Sequence, residues 1–369
     1  MRIVLWQNLL SPHQLPYIAH LLDSEHVSEV IIAVGENMDK NRKKMGWGIP
    51  QIDGLSHCRI VLNPKENEIK NIFAQKEKDS WHLFSGIRGF KFVFEAFKTS
   101  LNYQVKRGLI TERPNTFAFG RTNGKPLWLH KIRFLLQDRK YAKYIDKVFA
   151  MGDDAVAYFQ SVYKKWEVIP FAYCTEYHNI PTENISGNIN LCFIGSLSWW
   201  KNPQSIAQAS ILLNKKINLS YIGGGDKESE IKQLLKDKEQ IHTTFYGFQD
   251  NTKIPLLLAS QDILILPSIY DGWGAVVNEA LQAGLYVICS DKCGSKELLK
   301  DSRCGKVFHS ENIKELASLI DDCIRNIDQI RKDRPLRKDW ARKHISGRVI
   351  AQYMIDCLHN VPIIRPWYR

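Results

Sequence analysis

Pro267-Ser268-Ile269-Tyr270-Asp271-Gly272-Trp273-Gly274-Ala275-Val276-Val277-Asn278-Glu279-Ala280 follows an apolar, strand-like run from Asp262 to Leu266 and opens a helical pattern. A strand that enters a Gly-containing loop and then a helix is the building unit of an open α/β sheet. Ligands of such sheets gather beyond the carboxyl ends of the strands. The opening turn of the helix adds unpaired N–H groups and the positive end of a dipole. Gly272 and Gly274 lack a Cβ, so their backbone can approach a diphosphate or a sugar closely. Asp271 is expected in the loop, facing the ligand. Glu279 is expected about a turn and a half into the helix, within reach of ribose hydroxyls. Standing alone, the same stretch would also suit a plain strand–turn–helix with a solvated Asp and an exposed Glu.

Working outward, strand-like and helical stretches alternate almost throughout, which argues for parallel sheets covered by helices. In the first half the expected strands are 2–6, 29–34, 59–62, 81–84, 115–119, 147–150 and 167–169. Helices are expected at 14–22, 90–106, 127–141 and 154–163, and residues 36–57 read as an irregular excursion. Residues 170–188, rich in Thr, Asn, Pro and Gly, read as a linker. A second series follows, with strands at 190–194, 219–222, 242–245, 263–266 and 286–290. Its helices are expected at 203–213, 228–235, 253–259 and 275–283, with closing helices at 313–326 and 336–359. A chain of 369 residues is long for one core, so two α/β domains are the natural expectation, 1–175 and 188–345.

The C-terminal series resembles the family 4 (group 1) retaining glycosyltransferases of the GT-B fold. Their signature is an acidic pair eight residues apart within Pro-Ser-x-x-Glu-Gly-Phe-Gly-x-x-x-x-Glu-Ala-x-x-x-Gly. Pro267, Ser268, Gly272, Gly274, Glu279, Ala280 and Gly284 match it, Asp271 takes the first acidic position and Trp273 that of the Phe. Tyr286 to Asp291 and Gly294 to Glu297 also resemble the family's next strand and turn. Upstream, Gly195-Ser196-Leu197-Ser198-Trp199-Trp200-Lys201-Asn202-Pro203 resembles the loop whose Arg and Lys hold the donor diphosphate. Lys201 falls where that Lys belongs, while Ser196 replaces the Arg. Asn202 and Pro203 look like the N-cap and first residue of the next helix. Gly223-Gly224-Gly225 resembles the family's Gly-x-Gly turn, a weak signal that by itself means a tight turn.

The resemblance implies two Rossmann-like parallel-sheet domains facing a central cleft, with the last helix crossing back to the N-terminal domain. It also implies transfer of a sugar, with retention, from a UDP- or GDP-linked donor to a hydroxyl of a glycan or lipid-linked acceptor. Asp271, Lys201 and His13 are the catalytic candidates it leaves. Ser196, Lys201, Gly272, Trp273, Gly274, Ala275, Val276 and Glu279 are the expected donor-binding set. The chemical need is to stabilise charge on a leaving diphosphate. Many transferases meet it with a metal held by Asp-x-Asp; that pattern is absent from this sequence, which fits a metal-independent route with no cofactor. Bacterial surface-polysaccharide assembly is the setting implied by analogy.

The N-terminal half is less legible. The loop Ser11-Pro12-His13-Gln14 follows the first strand without the Gly-rich turn that many such enzymes carry, so Ser11, His13 or backbone must serve there. Phe84 falls where relatives carry a cleft-facing histidine, and His82 reads as packing. Arg121 and Lys125 place two cations in a further loop. From Arg121 to Lys147 there are eight Lys/Arg and two Asp, interleaved with Leu127, Trp128, Leu129, Ile132, Phe134, Leu135 and Leu136. A basic amphipathic helix suits an anionic membrane surface or a phosphorylated lipid, or simply a core-packed helix with a solvated basic face.

The net charge of +12 likewise implies anionic company. No nucleic-acid recognition module accompanies it. Met1 to Trp6 is too short for a signal-peptide core, and no stretch approaches a membrane span. The eight cysteines lack Cys-x-x-Cys spacing. Cys192 and Cys289 read as buried thiols, and Cys289 with Cys293 makes a poor metal pair. A reduced, cytoplasmic protein is expected, possible peripheral membrane association included. Two rivals stand beside the transferase: a dinucleotide oxidoreductase, disfavoured because Gly-x-Gly-x-x-Gly spacing is missing, and a non-catalytic nucleotide-sugar-binding protein on the same fold.

Overall fold

A computed structural model describes residues 1–36, 55, 57–75, 77–115, 126–175 and 187–368. The chain forms two compact units. Among the described residues, one takes the chain up to Cys174 together with Gly347–Arg365, and the other takes Thr175–Ser346 and the last residues from Pro366.

The first unit carries seven parallel strands: β1 Arg2–Gln7, β2 Glu29–Val34, β3 Arg59–Leu62, β4 Ser80–Phe84, β5 Lys106–Thr111, β6 Lys147–Met151 and β7 Glu167–Phe171. Their order is β3-β2-β1-β4-β5-β6-β7. Burial on both faces explains the near-continuous apolar runs of the middle strands. Trp6 of β1 stacks on Phe73 of the helix Glu66–Ala74, with ring centres 4.9 Å apart. The second unit carries β8 Ile189–Ile194, β9 Ile217–Ile222, β10 Ile241–Gly247, β11 Ile263–Leu266, β12 Tyr286–Ser290 and β13 Gly305–Phe308, in the order β10-β9-β8-β11-β12-β13. Counted from its own first strand, each sheet runs 3-2-1-4-5-6, the Rossmann order, and the first adds a seventh strand at its end. Both units are therefore Rossmann-like, as expected for the GT-B fold.

Several boundaries differ from expectation. The helix expected over 90–106 ends at Ser100, and the chain turns into β5 at Lys106. Its two leading cations hid the strand. Arg107 is in fact buried and donates to Ser100 Oγ (2.9 Å) and to the carbonyls of Tyr103 (2.7 Å) and Val105 (2.9 Å). Residues 116–119 of the strand expected at 115–119 lie outside the described residues, as do Arg121, Lys125, most of the 36–57 excursion and residues 176–186 of the linker. Pro170, expected to open the linker, sits inside β7. The closing helix expected over 336–359 is two, Arg334–His344 and Gly347–Leu358. The break coincides with Gly347, where a Cβ would lie 2.3 Å from the Pro16 carbonyl oxygen. Backbone here meets backbone, and the second helix packs on Leu15–Ala19 within the first unit.

Candidate active site

In the second unit the strand order reverses between β8 and β11, the place where open α/β sheets bind ligands. The loops that leave these two strands carry Lys201 and Asp271. After β8 the chain makes a tight turn in which the amides of Lys201 and Asn202 both donate to Ser198 O, each at 3.1 Å. Asn202 adopts a left-handed backbone (φ +52°), and the following helix, Gln204–Leu213, has Pro203 at its cap position. Asn202 therefore does not cap that helix through its side chain, contrary to expectation; its carbonyl instead accepts from Ser205 Oγ at 2.8 Å. The Ile269 amide donates to Trp200 O (2.8 Å), which fastens the β11 loop to the β8 loop. Lys201 Nζ reaches Asp271 Oδ2 at 2.5 Å, with both side chains largely buried.

Asp271 is held from behind as well. Its amide donates to Lys292 O (3.2 Å), its carbonyl accepts from Gly294 N (3.2 Å), and the Ser295 amide donates to Trp273 O (2.8 Å). Gly294 must be glycine for this clasp, since a Cβ there would lie 2.2 Å from Gly272 O. Gly274 has φ +91°, and a Cβ on it would fall 3.4 Å from Asp271 Oδ2. The carboxylate thus lies directly over the glycine. The helix after it, Val276–Gln282, is only seven residues long. Its contribution is local N–H donors more than a long dipole. The amides of Gly272, Gly274, Ala275 and Val276 donate to no group among the described residues.

Glu279 stands on that helix without a side-chain partner among the described residues. Burial of its carboxyl pushes the pKa up to about 7. A half-buried carboxyl that lacks an internal donor suits a ligand that brings hydroxyl donors. The Trp273 side chain turns inward: it is 1% exposed and its Nε1 donates to Asn278 Oδ1 (2.8 Å). The Ser196 and Ser198 hydroxyls share a hydrogen bond of 2.9 Å. The three glycines after β9 have a structural cause. A Cβ on Gly223 would lie 2.0 Å from Gly195 O and one on Gly225 2.5 Å from Leu197 O, while Leu197 N donates to Gly224 O at 3.0 Å. They let the β9 turn lie flat beneath the Lys201 loop.

His13, the remaining catalytic candidate, belongs to the other unit. It follows β1, its carbonyl accepts from Cys174 N (3.3 Å), and its ring centre is 6.3 Å from that of Tyr173. His82 packs, as read from sequence: Trp6 Nε1 donates to its Nδ1 at 3.0 Å, and burial drives the imidazole well below its usual pKa. Cys192 and Cys289 are buried in their strands. Sequence reasoning assigned no role to Glu297, which is buried and accepts from the Tyr368 hydroxyl at 3.3 Å. It also missed the clasp by Lys292 to Ser295, for which the pattern Gly294 to Glu297 was the available signal.

Two Rossmann-type sheets, with charged loops meeting where one of them reverses order, define a GT-B protein. Residues 179–344 match the family model described as Glycosyl transferases group 1. An uncharacterised glycosyltransferase of Methanocaldococcus jannaschii is 28% identical over 45% of this chain and 46% of its own length. The lipopolysaccharide glucosyltransferase WaaG of Escherichia coli is 27% identical over 33% of this chain and 31% of its own. The matches thus span about half or less of these curated relatives. The crystal structure of Anabaena HepE in complex with UDP superposes with a TM-score of 0.71, covering 98% of this chain and 100% of that one at 14% identity, a likeness of fold.

Proposed function

We propose that this protein is a retaining glycosyltransferase that moves a sugar from a UDP- or GDP-linked donor to a hydroxyl of a glycan or lipid-linked acceptor. The observation that carries this reading is the meeting of Lys201 and Asp271 (2.5 Å) above four undonated amides, with the unpartnered carboxyl of Glu279 on the next helix. On this reading Lys201 Nζ and those amides take the donor diphosphate. They stabilise the charge that grows on its oxygens as the glycosidic bond breaks, with no metal needed. Lys201 then bridges phosphate and Asp271, which in turn faces the sugar hydroxyls, while Glu279 accepts from the ribose. His13, which lies in the first unit, is the further catalytic candidate that the resemblance leaves. WaaG acts on lipopolysaccharide and HepE was solved with UDP, which supports a nucleotide-sugar donor and surface-polysaccharide synthesis here. On this reading the protein works in the cytoplasm, with peripheral association on the inner face of the membrane.

The test is a thermal-shift screen of UDP- and GDP-sugars, followed by turnover of the best ligand with a glycan acceptor. Lys201→Ala should lower kcat/KM by about a hundredfold or more, as loss of a transition-state charge contact does. Glu279→Ala should act mainly through donor affinity. Donor binding with no turnover under any acceptor would mean a binding protein instead.

A further inference from the structure

The helical segment from Leu127 to Ala142 has two apolar faces, and the core uses one. Leu127, Phe134 and Tyr141, spaced by seven, pack toward the core of the first unit. Trp128, Leu129 and Ile132 of the α-helix Leu127–Arg133, with Leu135 and Leu136 of the π-helical turn Phe134–Asp138 that continues it, form a second apolar arc. This arc faces outward: Trp128 is 58% exposed, Leu135 48% and Leu136 80%. Adjoining groups that large on one surface helix mark an interaction site.

The surroundings of the arc say with what. Leu135 also borders an open groove of about 610 Å³ whose rim carries Arg139, Lys140, Lys143, Lys164 and Lys165. Asp138, the carboxylate nearest these cations along the helix, is bonded to Arg88 and does not neutralise them. A second copy of the chain would bring like-charged grooves together. A polyanion in water would leave the apolar arc uncovered. An anionic bilayer supplies phosphates above hydrocarbon, which matches both halves of the surface. We propose that this face docks on an anionic lipid bilayer, with the arc at the headgroup–acyl boundary and the groove cations on lipid phosphates. This extends the proposed membrane-side location and is independent of the donor-site chemistry.

The experiment is co-flotation of the full-length protein with phosphatidylcholine vesicles, with and without phosphatidylglycerol, at low and high salt. Binding should require phosphatidylglycerol and weaken with salt. Trp128→Ser with Leu136→Glu, and separately Lys164→Glu with Lys165→Glu, should each weaken it about tenfold or more, with Tm and UDP-sugar binding unchanged. Equal binding to neutral vesicles, or vesicle binding that survives the Trp128/Leu136 change, would overturn the proposal. So would wild-type self-association abolished by Leu136→Glu. UDP-sugar binding, measured on the same samples without vesicles, reports separately on the transferase reading.

Discussion

Gly274 holds φ +91° beneath the Asp271 carboxylate, and a Cβ there would sit 2.8 Å from Leu266 Cδ2 and 3.1 Å from Ser295 Oγ. Gly274→Ala should therefore cost about 1–3 kcal/mol of stability in urea unfolding and weaken UDP-sugar binding through the displaced carboxylate. Unchanged binding would separate this turn from the donor site. Glu279 gives a pH test. Its folded pKa of about 7 lies above the usual carboxylate value, so between those two values the folded state holds more proton than the unfolded one. Its contribution to stability is thus fully present below the unfolded value and is lost as pH rises through about 7. Ribose hydroxyls need the ionised acceptor, so affinity for a UDP-sugar should move the other way and rise from pH 6 to 8. Glu279→Gln should flatten both profiles, and a variant that keeps the wild-type pH dependence of binding would exclude this role. Lys201, Asp271 and Glu279 were legible because each is a charged residue at a fixed offset from glycines. The inward turn of Trp273 was not, since an aromatic beside a loop reads alike whether it faces a ligand or bonds to Asn278.

At the scale of elements, the strand–loop–helix units of the second unit could be read almost to their ends because apolar runs and glycines punctuate them. The misses have physical causes. Arg107 satisfies its guanidinium on local carbonyls, so a buried strand began with cations and passed for the end of a helix. The three glycines after β9 read only as a tight turn, which hid that they allow two loops to stack backbone on backbone. Gly223→Ala should displace the Gly195–Leu197 segment, since its Cβ would stand 2.0 Å from Gly195 O. Both the φ of +129° and the overlap oppose it, at a cost of about 1–3 kcal/mol or more. Amide exchange at Leu197 and Lys227, which bond across this contact, should then accelerate. If those amides kept their protection, the glycines would have to be kept for the ligand instead.

At the scale of the whole molecule, the order of the chain and the order of the units differ, because Gly347–Arg365 completes the first unit. The helix Gly347–Leu358 buries Ile350, Met354, Ile355 and Leu358, and Tyr353 donates to Pro170 O (3.0 Å) while Asn360 Oδ1 accepts from Lys147 Nζ (2.7 Å). Four buried side chains of this size contribute about 1.5–3 kcal/mol each. Their sum, on the order of 6–12 kcal/mol, is comparable to the whole stability of a domain, about 5–15 kcal/mol. Truncation after Ser346 should therefore unfold the first unit and leave the second largely folded, since the second loses only its residues from Pro366. Hydrogen exchange should show β1 to β7 losing protection while β8 to β13 keep most of theirs, and the truncated chain should still be stabilised by UDP-sugar. Retained protection in β1 and β6 would mean that the terminal helix is an accessory. The same arrangement bears on folding during synthesis: residues that form β1 are made long before the helix that covers their neighbour Leu15–Ala19. Until then Tyr17 and Ile18, fully buried in the finished protein, must remain without their partner.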